Sequence, residues 1–358
     1  MSALDRGVRR SRRAPLLTQL ALGVGILAVL VVSGATGPAE VSPLDAGRVI
    51  LGHLLPGAPW TSDGSLTRLQ DQAVWQFRLP RTLLAGLAGA GLALAGALMQ
   101  AAVRNPLAEP YVLGVSAGAG LGAVAVITLG SAAVAGLPLS GAAFLGALAA
   151  TAAVALLSRH HGMLAPTRMI LTGVALGSLL SALTSYLTLT TEAQNVFSVL
   201  FFLLGSVSAA SMDQLAIPAV ALLAVTLFAL ARARALNALL AGDETATALG
   251  VPVHRLRGQL VVAASLLTGA VVAVSGGIGF VGLVVPHTAR ILVGADHRRM
   301  LPVTVLAGAF FLMAADLLAR TVAAPTEIPL GIVTAVVGAP CFLWLIRRGR
   351  AARAGMLR

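Results

Sequence analysis

Long apolar runs alternate with short polar gaps along nearly the whole chain. Ten such runs can be marked, and an apolar run of about 20 residues is long enough to cross the hydrocarbon core of a bilayer as a helix. The predicted spans are residues 16–36, 81–103, 111–130, 139–158, 167–189, 213–231, 257–275, 278–294, 301–319 and 328–346. The pattern therefore predicts an all-α polytopic membrane protein with about ten transmembrane helices in a single domain, residues 1–358.

The basic residues are distributed unevenly between alternate gaps. The chain has 25 of them, and every one is an arginine. With the N-terminus placed inside, all but five lie in inside segments; the five outside are Arg48, Arg68, Arg78, Arg81 and Arg320. Cytoplasmic loops of membrane proteins carry an excess of positive charge. The distribution predicts a multi-pass protein of the cytoplasmic (inner) membrane with both termini in the cytoplasm.

Composition excludes several other classes of protein. Hydrophobic residues make up 58% of the chain and charged residues 11%, which is too little polar surface to cover a soluble core of this length. A net charge of +12 would suggest nucleic acid in a soluble protein. Here the positive-inside bias accounts for the charge, and no nucleic-acid partner is predicted. The single Cys341 rules out a disulfide framework.

The segments on either side of the first predicted span need separate interpretation. The arginine-rich start followed by an apolar run is typical either of a cleavable signal peptide or of an uncleaved first helix. The run is nearly as long as a full span, and this favours the uncleaved helix. The following outer segment, residues 37–80, is rich in proline and glycine and is predicted to be irregular, with a short helix around residues 43–55.

The sequence also contains a predicted internal repeat. When the chain is shifted by 180 residues, several small residues and one proline coincide: Gly89 with Gly269, Ala90 with Ala270, Gly96 with Gly276, Pro106 with Pro286 and Gly114 with Gly294. The predicted halves are roughly residues 78–190 and 254–347. An odd number of spans separates their first helices, so the halves would have opposite orientations, as in the inverted repeats of many transporters.

The absence of lysine limits the chemistry available to this chain. A phosphate-binding Walker A loop requires Gly-x-x-x-x-Gly-Lys-Ser/Thr, which a chain without lysine cannot provide. The protein is therefore predicted not to be an enzyme and to hold no cofactor of its own. If transport is driven by ATP, the ATP and its Mg²⁺ bind to a separate ATPase subunit. The sequence contains no metal-ligand cluster.

One acidic residue, Asp316, lies inside a predicted span. A carboxylate at membrane depth is a functional candidate because its desolvation is costly. Arg320 follows one helical turn later, at the spacing of an i,i+4 pair. We expect a structural ion pair between Asp316 and Arg320 near the outer interface rather than a proton relay.

Arg78 and Arg81 stand three residues apart at the outer mouth of the second predicted span. That spacing places them on one face if the helix has already begun. Two interpretations are open. The arginines either snorkel to lipid headgroups, or they form with Arg320 a basic ring that captures an acidic partner through bidentate arginine–carboxylate contacts.

The inside segment of residues 236–253 predicts two short helices. Gly242 ends the first, Asp243 is a plausible N-cap of the second, Glu244 favours its dipole, and Gly250 caps its C-terminus. The segment is either an ordinary linker or a handle that a soluble partner grips from the cytoplasm.

Several ordered motifs give the chain a specific resemblance to a known family. They are Arg78-Leu-Pro-Arg81, Gly96-Ala-Leu-Met-Gln100, Asn105-Pro-Leu-Ala-Glu-Pro110, Leu113-Gly-Val-Ser-Ala-Gly-Ala119, Leu204-Gly-Ser206, Gly242-Asp-Glu-Thr245 with Leu249-Gly-Val251, the run from Gly276 to His287, Ile328-Pro-Leu-Gly-Ile-Val-Thr334, and Gly338-Ala-Pro340. Over nearly its whole length the chain resembles the FecCD-type permeases of bacterial ABC importers for iron–siderophore complexes, haem and cobalamin.

The resemblance implies a cobalamin-permease-like fold of ten spans, acting as a homodimer or beside a related permease, with two ATPase subunits and an extracytoplasmic substrate-binding protein. It implies docking of the binding protein on Arg78, Arg81 and Arg320. By the same resemblance, roughly residues 236–251 form the coupling helices that contact the ATPase. The contact positions that it implies are Gly242, Asp243, Glu244, Leu249 and Gly250. It implies gating or packing roles at Gly96, Gln100, Asn105, Pro106, Gly276, Gly277 and Pro286.

Within this family the expected cargo is an iron chelate, most often a ferric siderophore, with haem and cobalamin as alternatives. Two readings from other classes remain. An ion-coupled secondary transporter would work without an ATPase and would usually contain more buried carboxylates. An intramembrane enzyme would need a paired catalytic set within the spans, and the sequence shows none.

Overall fold

The computed structural model of the chain describes residues 3–55, 57, 60, 65–160, 163–164 and 166–355. Fifteen α-helices occur in this part of the chain. They are α1 Ala3–Ala35, α2 Pro43–Leu54, α3 Arg68–Gln72, α4 Leu79–Val103, α5 Val115–Leu129, α6 Leu139–Leu157, α7 Pro166–Thr190, α8 Ala193–Leu204, α9 Ala216–Ala231, α10 Ala233–Leu240, α11 Asp243–Ala248, α12 Val253–Ser275, α13 Val281–Val293, α14 His297–Thr321 and α15 Leu330–Gly355. A two-residue antiparallel pairing joins Arg159–His160 to Met163–Leu164.

The helices confirm the predicted polytopic α-helical fold. Seven described helices are long and apolar enough to cross a membrane, and four shorter apolar helices accompany them, at residues 115–129, 193–204, 281–293 and 330–344. Each of the ten predicted spans is occupied by a helix. The sequence reading missed α8, because a helix of 12 residues rises only about 18 Å and does not give a span-length run. The predicted outer helix at residues 43–55 is α2, which Ser42 caps by accepting from the N–H of Asp45.

Helix α4 is the centre of the bundle. It packs against α9, α12, α13 and α14, and it is buried on almost every side. Its sequence explains this position, because 12 of its 25 residues are alanine or glycine and small residues let helix backbones approach closely in a membrane. A six-residue π-helix, Ala73–Arg78, joins α3 to α4, so that one continuous helical segment runs from residue 68 to residue 103.

The predicted shift of 180 residues does not bring structurally equivalent positions together. Pro106 lies in the loop after α4, whereas Pro286 lies inside α13. Gly96 lies within α4, whereas Gly276 follows the end of α12. Each half nevertheless contains a long helix, then a short one, then two longer ones: α4 to α7 and α12 to α15. The inverted relation between the halves stays a prediction.

Candidate functional site

The outer end of α4 meets α1 and α14 in a group of five charged side chains, here called the outer arginine cluster. Its members are Arg78, Arg81, Asp316, Arg320 and Glu327. The three arginines that the sequence predicted to act together do converge, although Arg320 is about 240 residues from the other two. All three line one cavity of about 910 Å³, together with Glu327.

Arg78 is committed to the backbone at the end of α1. It is buried, and its guanidinium donates to the carbonyl oxygens of Gly34 at 2.8 Å and Ala39 at 2.6 Å. The last carbonyls of a helix lack intrahelical partners, and a guanidinium is a suitable donor for them. Arg78 therefore fixes the segment that leaves α1 against the start of α4, whichever partner approaches from outside.

Asp316 forms the predicted ion pair with Arg320, but its hydrogen bonds come from Arg81, a partner that the sequence did not predict. Arg81 Nε donates to Asp316 Oδ1 at 2.9 Å and Oδ2 at 3.2 Å. The predicted i,i+4 partner, Arg320, has its Nε 3.8 Å from Oδ2, too far for a hydrogen bond. Arg320 instead donates to the carbonyl and hydroxyl oxygens of Ser33 and to the carbonyl of Thr36. Sequence spacing could not reveal a pairing between two distant helices.

The opposite end of α4, which the sequence predicts to face the cytoplasm, carries a second charged group. It is here called the cytoplasmic clamp and consists of Arg104, Asp243 and Arg257. Arg257 is buried; its Nε donates to the carbonyl of Ala102 at 2.7 Å, and its Nη2 donates to Asp243 at 3.0 and 3.2 Å. Arg104 Nη1 lies 3.4 Å from Asp243 Oδ1. Burial alone would raise the pKa of Asp243, but the hydrogen bond from Arg257 and the charges of Arg257 and Arg104 lower it. The clamp joins α11 to the end of α4 and to α12.

Two short helices form where the sequence predicted them, but Asp243 is not the N-cap of the second. Gly242 occupies the N-cap and Asp243 the first helical position, because the Asp243 carboxylate is engaged by Arg257. At the other end Gly250 adopts φ +78°, and Val251 N–H donates to the Ala246 carbonyl. This is a Schellman cap, which favours glycine at the left-handed position.

Among the residues of 236–251 that the sequence predicts to contact a partner, Glu244 and Leu249 point outward, whereas Asp243 is held by Arg257 and Arg104. Glu244 and Leu249 are exposed, and Leu249 has 68% of its surface accessible. A large apolar side chain at that exposure beside charged residues is suited to burial against another protein. The segment is also tied to α14, because Asn237 in α10 donates to Asp296 at 2.6 Å and accepts from the His297 N–H. Sequence reasoning missed that second link.

The predicted packing residues of α4 meet the start of α13. A Cβ built on Gly96 would lie 2.0 Å from the carbonyl oxygen of Gly282, so the two backbones touch. Gln100 donates to the same Gly282 carbonyl at 3.1 Å and accepts from Arg290 at 2.6 Å. Pro286 is buried in the middle of α13. These contacts place Gly96 and Gln100 at the interface between α4 and α13.

The remaining predicted gating positions lie at two other places. Asn105 and Pro106 form the turn after α4, where Asn105 Oδ1 accepts from the Leu107 N–H at 2.9 Å. Gly276 and Gly277 lie against the C-terminal end of α8: a Cβ on Gly276 would lie 2.1 Å from the Phe202 carbonyl oxygen. The residues predicted to act in gating or packing therefore do not lie at one place in the structure. A gating role for any of these residues stays a prediction.

Glu109 is a partly buried carboxylate that sequence reasoning did not single out. It lies in the loop between α4 and α5, accepts a hydrogen bond from the Phe280 N–H, and leaves Oε1 enclosed without a partner in the described part of the chain. Burial raises its pKa to about 7, against the smaller opposing effect of that N–H. Its place in Asn105-Pro-Leu-Ala-Glu-Pro110 was the available signal, since a charged residue among apolar neighbours is costly unless paired.

We expect Glu109→Gln to remove a pH dependence of stability. Because the folded pKa is raised, the fold retains a proton that the unfolded chain releases, so stability falls as pH rises from about 4.5 to about 7. The variant should match the parent at pH 4.5 and exceed it at pH 8 by on the order of 2 kcal/mol. Thermal unfolding in detergent across this range measures it. Parallel pH curves for the two proteins would contradict the burial of the proton.

Comparisons with known proteins identify the family and the fold of this chain. The profile of the FecCD transport family matches residues 25–348. The chain is 39% identical over 356 residues to the cobalamin import system permease protein BtuC of Halobacterium salinarum, covering 91% of this chain and 95% of that protein. It is 41% identical over 336 residues to the ABC transporter permease protein YvrB of Bacillus subtilis, covering 93% and 94%. A solved inward-facing metal-chelate type ABC transporter matches with a TM-score of 0.78 and 32% identity, over 92% of this chain and 98% of that one.

Proposed function

This chain belongs to the FecCD transport family and is an ABC importer permease, and we propose that it passes a bulky metal chelate inward across the cytoplasmic membrane. The observation that carries the proposal is the pair of charged groups at opposite ends of α4. The outer arginine cluster opens to a cavity, and the cytoplasmic clamp holds the helices of residues 233–248. Such a chain can receive one partner outside and another inside.

The proposed cargo class contains ferric siderophores and corrinoids. Within the family that the sequence resembles, a ferric siderophore was the expected cargo because it is the most common one. The relative from Halobacterium salinarum is named as a cobalamin import permease, and this supports a corrinoid as the first candidate for this chain. Haem is a third member of the class. Uptake of labelled cobalamin and of a labelled ferric siderophore, measured in cells that carry the permease with its ATPase and binding protein, distinguishes them.

In the proposed mechanism the binding protein docks on the outer arginine cluster with its cargo. Two ATPase subunits then close on ATP below the membrane, and the coupling helices transmit that motion to α4 and α12 through the cytoplasmic clamp. An ion-coupled secondary transporter is the rival class. Transport that survives removal of ATP and collapses with an uncoupler would favour the rival.

A second permease copy is proposed as the partner within the membrane. Helix α7 is largely exposed, with apolar side chains such as Leu171, Val174 and Tyr186 on its surface. Beside them, Ser178, Ser181 and Ser185 line a groove of about 580 Å³. Hydroxyl groups that face lipid find no hydrogen-bond partner there. A groove between two copies would instead place these hydroxyl groups along a partly polar path for the cargo.

Docking is tested with two variants of the Arg81–Asp316 pair. Asp316→Asn leaves the Arg81 guanidinium in place, whereas the double variant Arg81→Gln with Asp316→Asn removes the guanidinium together with its buried carboxylate partner. We expect the double variant to lose at least tenfold in affinity for the binding protein, the value of one or two charged hydrogen bonds. Asp316→Asn should retain most of it. Equal affinities would refute docking on Arg81.

Coupling is tested at the clamp. Asp243→Ala frees α11 from Arg257 and Arg104, and we expect a loss of roughly tenfold in substrate-stimulated ATP hydrolysis by the assembled transporter. Because this variant leaves the buried Arg257 without a carboxylate partner, with only its bond to the Ala102 carbonyl, its melting temperature is compared with that of the parent. Asp213→Ala, which removes an exposed carboxylate before α9, serves as the control. Stimulation equal to that of the control would count against a transmitting role for the clamp.

A further inference from the structure

Arg81 divides its guanidinium between two carboxylates that differ in exposure. Its Nε donates to Asp316, and its Nη1 donates to Glu327 Oε1 at 2.7 Å. The Asp316 side chain is 1% exposed and the Glu327 side chain 37% exposed. Asp316 is enclosed between helices and stays with Arg81 as long as the fold persists. Glu327 reaches the same guanidinium from the surface.

Glu327 lies on the linker of residues 322–329 between α14 and α15. The backbone next to it is held, because Ile328 N–H donates to the Ala319 carbonyl at 3.1 Å and Leu330 N–H to the Gly205 carbonyl at 2.8 Å. In the described part of the chain, its carboxylate receives a hydrogen bond from Arg81 alone. Its side chain can therefore leave Arg81 by rotation, without moving the backbone that carries it.

The cavity above the cluster reaches Arg81 on the side that Glu327 occupies. Arg78, Arg81, Arg320 and Glu327 all line it, and guanidiniums outnumber carboxylates in the cluster. An acidic side chain entering from outside is therefore attracted. Because Asp316 accepts from Nε and Glu327 from Nη1, an incoming carboxylate that approaches Nη1 meets the position that Glu327 already occupies.

We propose that Glu327 is an internal competitor for docking: it pairs with Arg81 while the outer face is empty and yields that place to a carboxylate of the binding protein. This rests on the docking function proposed above. A largely buried guanidinium is costly to leave half-paired, and Glu327 completes the pairing in the resting permease. Docking then exchanges one ion pair for another, and Glu327 returns to water. The exchange weakens docking and allows the binding protein to leave after delivery.

The proposal predicts that removing the Glu327 charge tightens docking. The experiment uses the permease assembled with its ATPase in nanodiscs and measures the affinity of the substrate-binding protein for the parent, Glu327→Gln and Glu327→Ala. We expect both variants to bind roughly 5- to 20-fold more tightly, mainly through slower dissociation. Glu192→Gln is the matched control, because Glu192 is exposed between α7 and α8 and bonds to Gln194. It should bind as the parent does.

The outcomes separate this inference from the docking function. If the double variant Arg81→Gln with Asp316→Asn loses docking while both Glu327 variants bind as the parent does, or more weakly, the competitor is refuted and the docking surface stands. If that double variant docks normally, the docking function itself fails. Melting temperatures of the Glu327 variants within a few degrees of the parent establish that affinity, and not folding, was compared.

Discussion

Replacing Asp316 with alanine should leave the permease unable to accumulate as a folded protein. Its carboxylate is 1% exposed and balances Arg81 at 2.9 Å and Arg320 at 3.8 Å. Removing one member of a buried ion pair leaves an uncompensated charge and costs about 3–5 kcal/mol. Total stabilities are about 5–15 kcal/mol, so this loss is large. Thermal unfolding and monodispersity in detergent measure it.

Two further variants show whether the effect comes from unbalanced charge. Asp45→Ala breaks the exposed pair with Arg48, where both side chains are accessible, and should cost less than about 1 kcal/mol. The double variant Arg81→Gln with Asp316→Asn replaces the buried ion pair by neutral groups and should recover most of the stability. An Asp316→Ala protein that melts together with Asp45→Ala would overturn the structural role of the cluster.

Adding one methyl group at Gly96 should separate α4 from α13. The Cβ of Gly96→Ala would lie 2.0 Å from the Gly282 carbonyl oxygen and 2.5 Å from the Gly282 Cα, and backbone atoms cannot rotate away. Overpacking in a core costs about 1–3 kcal/mol when side chains can adjust, and we expect about 3 kcal/mol or more here. The hydrogen bond from Gln100 to Gly282 would lengthen as well. Loss of thermal stability and of transport measures the effect.

Gly23→Ala supplies the matched control. Gly23 lies within α1, and a Cβ there meets nothing within 4 Å. Alanine is the better helix former by about 1 kcal/mol, so this variant should be neutral or slightly more stable. The same substitution thus has opposite expected signs at two helical glycines. If both variants melt alike, close packing at Gly96 is not what holds α13 against α4.

The site could be predicted only in part from the sequence. The motifs identified Arg78, Arg81 and Arg320, and the structure does bring them together. The partners of these arginines were out of reach: Asp316 is paired with Arg81 across more than 230 residues, and Arg78 is bound to carbonyls at the end of α1. Every residue has the same backbone carbonyl, so no sequence motif can indicate which carbonyl accepts a hydrogen bond from a particular guanidinium.

For the two short helices α10 and α11, the sequence likewise predicted the helix boundaries but not the long-range contacts. Gly242 and Gly250 predicted the two helix boundaries, because local backbone conformation depends on local residues. The sequence misassigned the role of Asp243, because a nearby N–H and a distant guanidinium compete for one carboxylate. In the structure, Arg257, which lies fourteen residues later and is buried beside Ala102, donates to the Asp243 carboxylate.

The chain by itself determined that it is a multi-pass helical membrane protein, since an apolar run of sufficient length must satisfy its backbone as a helix in lipid. It also determined the helix ends marked by glycine and proline. Only the tertiary structure decided which buried charges are paired, which glycines touch another backbone, and which carboxylate can leave. Those depend on distances between helices far apart in sequence, and short-range patterns carry no information about such distances.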